Sequence, residues 1–291
     1  MQGRGKQVFL KVGVFLGLAS LALAAELQLE QARKYYNLTE FDKSLAVLQA
    51  ISHKDGAVWA LTGRDYYMQA DYKKAADALE KAVAAEPNNA EYVLWLGRAY
   101  GRRAETSSPL MAMVHAGKAR QQFEKAVQLN PHYLEALNDL FEYYLEAPAF
   151  LGGGLDKAQR LAGEIAKVDS AEGHWAQARL AEKQKEYGSA EEQLRSAIAL
   201  APQQVGRFID LAKFLARQGR FQESDQSIAN AEKIAPDSPK LMYAKADLYI
   251  KSKRNLGVAK DLLKRYLSSS LTPDDPPRSD AMKLLQQVQG S

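Results

Sequence analysis

The sequence predicts an all-α fold built as a stack of antiparallel helix pairs. Three observations carry this expectation. Positions recur at a fixed spacing: Gly63 returns as Gly97 and Tyr66 as Tyr100, each 34 residues on, and Pro202 to Pro236 is again 34. Within one period, residues 57–69 and 72–85 each carry apolar side chains at helical spacing. The composition is 46% apolar and rich in Ala and Leu, and no strand-like alternation stands out.

The unit follows from local chemistry. Asp55 and Asp71 stand where helix N-caps are needed. The break at Ala70-Asp71 is long enough only for an antiparallel turn. A small residue on each helix lets the pair cross closely: Gly63 against Ala75, and likewise Ala32/Ser44, Gly97/Ala119, Ala178/Ala190, Ala212/Ser224 and Ala246/Ala259. One such pair buries little by itself, so the stack is stable only as a stack.

The period near 34 and its small, aromatic and proline positions, seen in full in WALTGRDYYMQADYKKAADALEKAVAAEP (residues 59–87), resemble the tetratricopeptide repeat (TPR). The resemblance covers nearly all of the chain after residue 25. It implies a right-handed α-solenoid whose first helices line a concave groove. It leaves the function open, because such arrays serve many unrelated partners.

Taken in order, residues 1–24 are expected to be a secretory signal peptide: Arg4, Lys6 and Lys11 precede an uncharged run from Val12 to Ala24, and Ala22-Leu23-Ala24 is a small-x-small site. An uncleaved N-terminal anchor is the alternative. Export to a bacterial periplasm or cell envelope follows from either. Residues 25–273 are expected to hold about seven helix pairs: 25–55, 56–89, 90–133, 134–170, 171–204, 205–238 and 239–273. In the third of these, Ala75 and Pro87 recur as Ala119 and Pro131, 44 residues on, so ten extra residues fall around 101–118. They predict two longer helices joined at Ser107-Ser108, with Pro109 at the first helical position. Leu110, Met111, Met113 and Val114 then either cover one another or form a partner-docking tip.

A second irregular link, EAPAFLGGGLD (residues 146–156), resembles an insertion carried by a subset of exported bacterial TPR proteins. Its glycines follow no strand and precede no Lys-Ser/Thr pair, so a long inter-helix loop is expected rather than a phosphate site. After TPDDPP (residues 272–277), the segment 274–291 is expected to end in a capping helix that covers the last seam with Ala281, Leu284, Leu285 and Val288.

Composition excludes several chemistries. There is no cysteine, hence no disulfide, thiol nucleophile or cysteine-ligated metal. The four histidines are scattered without ligand spacing, so no metal and no other cofactor is expected. The net charge of +4 falls to about +1 without the three leader cations, which argues against nucleic acid. No nucleophile, phosphate-loop or dinucleotide motif is present, and no enzyme is expected.

The groove is the informative face. One residue after each crossing position stand Arg33, Arg64, Arg98, Glu142, Arg179, Lys213 and Asp247, mostly basic. Tyr36, Tyr67, Trp95 and Trp175 lie near them on the same helices. Arginine beside aromatics is the composition of binding hot spots, and its fork pairs with carboxylates. The expected ligand is therefore an acidic or carboxylate-bearing peptide segment, and a solvated stripe is the alternative. Glu135, Asp139, Glu142 and Glu146 share one face of a single helix and are expected to neutralise neighbouring arginines, or to hold a basic anchor of the ligand. The carboxylate-clamp set of chaperone-binding TPRs is hinted at only by Asn138, so that function is not implied. Besides groove binding, a structural role is open, with the convex face or the 101–118 insertion assembling a larger envelope complex.

Overall fold

A computed structural model describes residues 23–289 of the chain. The leader expected within residues 1–24 falls mostly on residues 1–22, which lie outside the described residues. The described residues are all-α, in two compact units that divide after Pro87.

The first unit holds α1 (residues 23–37), α2 (Phe41–Ala50), α3 (Gly56–Met68) and α4 (Tyr72–Ala85). Asp55 and Asp71 cap α3 and α4 as expected, their carboxylates accepting from the Val58 and Lys74 amides. At the α3–α4 crossing, a Cβ on Gly63 would stand 2.5 Å from Leu79 Cγ and 3.1 Å from the Ala75 carbonyl oxygen, so only glycine lets the pair close. Leu29, Ala32, Tyr36, Leu48, Ile51, Val58, Leu61 and Met68 form the core of this unit.

The second unit runs as five helix pairs: α5 (Ala90–Thr106) with α6 (Pro109–Leu129), α7 (Leu134–Glu146) with α8 (Leu155–Val168), α9 (Ser170–Lys183) with α10 (Tyr187–Leu200), α11 (Val205–Arg217) with α12 (Phe221–Ile234), and α13 (Pro239–Lys251) with α14 (Leu256–Ser268). A final helix, α15 (Arg278–Gln289), follows. All twelve small residues expected at helix crossings are buried. One of them also bonds its partner helix: the Ser224 hydroxyl donates to the Ala212 carbonyl at 2.8 Å.

Both irregular links have a structural reason. The enlarged pair breaks at Ser107 and Ser108, and Pro109 opens α6. Leu110, Met111, Met113 and Val114 are 41–69% exposed, so the two long helices do not cover them. The second link forms a 3-10 turn over Ala149–Leu151 that is tied down by its own pair: Tyr143 Oη donates to the Leu151 carbonyl and the Gly154 amide to that of Tyr144. Ala281 is fully buried in the core of the last pair, and Leu284 and Leu285 pack against it.

Candidate functional site: the face of the first helices

In the first unit, each of the expected groove residues has a partner within the unit. Arg64 Nε donates to Tyr36 Oη at 3.3 Å, and its guanidinium carbon lies 4.9 Å from the Tyr36 ring centre. Tyr36 is only 3% exposed and belongs to the core, so it supports Arg64 rather than offering a face to a ligand. Arg33 pairs with Glu30 of its own helix at 2.7 Å, and Tyr67 packs edge-on against Tyr72 at 5.5 Å.

In the second unit, arginines of the ladder are used between repeats. Arg98 on α5 reaches Asp139 at 2.5 Å and Glu135 at 3.0 Å on α7, with its guanidinium 5.1 Å from the Trp95 ring centre. Burial raises the Asp139 carboxyl above its ordinary range, against the pull of Arg98. Arg179 on α9 reaches back to Glu142 and Glu146 on α7, and Lys183 joins at Glu146. Arg217 on α11 takes Glu182 on α9 through two nitrogens, at 2.7 and 2.8 Å. The acidic stripe on α7 is thus held between cations of both neighbouring pairs.

Two cavities open on this face. One, about 180 Å³, is lined by Trp175, Arg179, Glu182, Asp210, Lys213 and Arg217. It brings together three of the residues expected from sequence, Trp175, Arg179 and Lys213, with the Phe141 ring 5.7 Å from Trp175. The second, about 610 Å³, lies between α9, α11 and α13. Its walls carry Glu172, Arg207, Asp210, Lys213, Lys240, Tyr243 and Asp247, and Pro276 of the C-terminal segment closes one side. The Tyr266 hydroxyl on α14 donates to the Pro276 carbonyl and fixes that wall. At the start of α15, Asp280 lies 3.6 Å from Arg102 on α5.

The larger cavity is electrostatically uneven. Arg207 donates through Nη2 to Glu172, whose carboxylate also accepts from Asn138. Asp247 is held by Lys251 at 2.9 Å. Burial pushes the Asp210 carboxyl up to about 6, against the pull of Lys213 and Arg207. Lys213 and Lys240 have no carboxylate within ion-pair distance among the described residues. Of these residues only Lys213 and Asp247 stand on the expected ladder; Arg207, Asp210 and Lys240 lie off it, and the i, i+3 spacing of Asp210 and Lys213 on α11 was the available signal.

Among the described residues, no three His, Asp or Glu side chains converge where a metal ion could be held, and no helix is long and apolar enough to cross a membrane.

Residues 60–104 match the family model of the tetratricopeptide repeat. No curated protein matches the chain. Among solved structures, a tetratricopeptide repeat protein from Parabacteroides merdae is similar over 92% of this chain and 99% of its own, at 14% identity and a TM-score of 0.60. A thermophilic TPR protein of Thermus thermophilus is similar over 66% of this chain and 98% of its own, at 19% identity and a TM-score of 0.53. At such identities the likeness is one of fold.

Proposed function

We propose that this chain, whose residues 60–104 match the tetratricopeptide repeat and whose fold is that of arrays that generally serve as scaffolds for protein interactions, is a non-catalytic scaffold of the bacterial cell envelope that binds a protein segment on the face of its first helices. One observation carries the reading: that face in residues 88–291 holds cavities with aromatic and apolar walls, and it keeps lysines free of ion pairs there while Arg98 and Arg179 are tied up between repeats. Aromatic walls supply affinity, and unpaired cations orient and select an acidic partner. The leader-like composition of residues 1–24 supports the envelope location.

A second reading rests on the exposed cluster Leu110, Met111, Met113 and Val114 at the start of α6, an adaptable apolar tip suited to assembly into a larger complex. Partner capture from an envelope extract separates the two. The unaltered chain is compared with Lys213→Glu, Lys240→Glu and with Leu110→Ser, Met113→Ser, and retained proteins are identified by mass spectrometry. Loss with the first variant alone supports the cavity face, with binding that weakens as salt rises. Loss with the second alone moves recognition to the tip.

A further inference from the structure

The first turns of α6 carry an apolar face on the side that the fold leaves open. His115, Ala119, Phe123 and Ala126 are the buried positions of this helix and mark the side packed into the array. At about 100° per residue, Leu110, Met111, Met113 and Val114 fall within an arc of about 160° centred opposite that side. All four are exposed. The same outward stripe then turns basic, with Lys118 and Lys125 following Val114 along the helix. Arg103 near the end of α5 joins them: it and Lys118 lie 5.9 and 4.8 Å from the centre of the buried Tyr100 ring.

The acids of this region are engaged elsewhere. Glu105 pairs with Arg102, which also reaches Asp280 and so ties the end of α5 to α15. Glu124 accepts from the Tyr144 hydroxyl and lies 3.9 Å from Arg120. Arg103, Lys118 and Lys125 have no carboxylate within ion-pair distance among the described residues. The apolar face is therefore bordered by net positive charge.

Size and charge decide what covers it. A stable protein interface takes roughly 20–30 residues from each side, far more than four side chains. Partition into a lipid interface has no such threshold, because each apolar side chain, and each cation near an anionic surface, adds its own contribution. The long lysine stems let their ammonium groups reach lipid phosphates while the apolar side chains enter the acyl boundary.

We propose that the outward face of α6 docks the protein on an anionic lipid bilayer, with Leu110, Met113 and Val114 inserted and Arg103, Lys118 and Lys125 on the phosphates. The helix lies in the plane of the interface and does not cross the membrane. This goes beyond protein recognition by the first helices and leaves that face to a partner.

The chain has no cysteine, so Met111→Cys takes a single environment-sensitive fluorophore, with Glu192→Cys on α10 as the control position. The full chain is titrated with vesicles of equal parts phosphatidylcholine and phosphatidylglycerol, and with vesicles of phosphatidylcholine alone. An apolar leader also favours lipid, which is why the readout is local. The expected result is a blue shift at position 111 with the anionic vesicles only, weakened by salt, and none at position 192. Adding Leu110→Ser and Val114→Ser should raise the lipid needed for half the shift by about tenfold or more, and Lys118→Gln or Lys125→Gln by about fivefold each. Melting curves check that every variant folds. No shift at position 111, an equal shift at position 192 or with the neutral vesicles, or a shift that survives the serine pair would overturn the proposal. A shift that grows with protein concentration in the absence of lipid would assign the face to a second copy, and one produced by lipid-free envelope proteins would assign it to a protein partner; either result also overturns lipid docking.

Discussion

The Arg179 guanidinium grips the Glu142 carboxylate through Nε and Nη2, both at 2.9 Å, and so ties α9 to α7 across successive helix pairs. Arg98 makes the equivalent tie from α5 to α7 through Asp139. At Arg98, Glu142 and Arg179 the ladder that reads as a ligand-binding stripe in the sequence thus ties successive helix pairs together. Both side chains of the Arg179–Glu142 pair are partly exposed, which limits its strength. Denaturation of Glu142→Gln, Arg179→Gln and the double variant should give a coupling of about 1 kcal/mol. A coupling near zero would return Arg179 to the pool of residues available to a partner.

Gly97 and Gly101 lie one turn apart on α5 and should respond oppositely to the same change. A Cβ on Gly97 would come within 2.6 Å of the Phe123 ring, whereas one on Gly101 meets nothing within 4 Å. Gly97→Ala should lower stability by about 1–3 kcal/mol through overpacking. Gly101→Ala should raise it by roughly 0.5–1 kcal/mol, because alanine restricts the unfolded chain and favours the helix. Urea titrations of the two variants measure both signs.

Asp65 makes stability depend on pH. It is fully buried on α3, and burial pushes its carboxyl up to about 8, with the Ser44 hydroxyl and Arg64 pulling it down and Asp42 adding to the rise. In the unfolded chain it titrates near 3.9. Between about pH 4 and 8 the unfolded state releases this proton while the folded state keeps it. Stability is therefore greatest below the unfolded value and declines as pH rises, by up to about 1.4 kcal/mol per unit from this group, until the folded carboxyl also ionises. Asp65→Asn removes that slope. Its melting temperature relative to the unaltered chain should climb steadily from pH 5 to pH 8; a constant difference would mean the carboxyl is charged in the folded protein.

A left-handed residue recurs at the turn inside three consecutive pairs: Lys185 (φ 65°), Gly219 (φ 74°) and Lys253 (φ 52°), spaced by 34. Only the middle one is glycine. Lysine in this conformation costs about 1 kcal/mol, partly offset by the lower entropy of its unfolded chain. Lys185→Gly should gain about 0.5 kcal/mol and Gly219→Ala lose about 1 kcal/mol by thermal or urea unfolding.

The fold was legible because its determinants are periodic. Gly63 and Gly97, like Ala178, Ala212 and Ala246, betray the crossings by being small at a spacing of 34, and Ser107-Ser108-Pro109 announces its own helix break. The site was legible only in part. Trp175, Arg179 and Lys213 do meet in one cavity, since helical spacing and repeat register place them on one face. Which cations are spent on neighbours depends on acids 33–41 residues away, such as Glu142 and Glu146 for Arg179 and Asp139 for Arg98, and on side-chain reach that no local pattern states. The burial of Tyr36, and the approach of Pro276 to the α11–α13 cavity, are likewise products of packing after the helices have formed.

The most direct measurement is site-specific photo-cross-linking of the full chain in its native envelope extract. A photoreactive phenylalanine derivative is placed at Gln204 beside the larger cavity, at Met111 on the tip, or at Glu192 on the exposed side of the second helix α10. A partner captured from Gln204 and not from the other two positions is the expected result. Capture confined to Met111 or Glu192 would contradict recognition by the first helices and make this protein an assembly subunit that binds by its tip or outer surface.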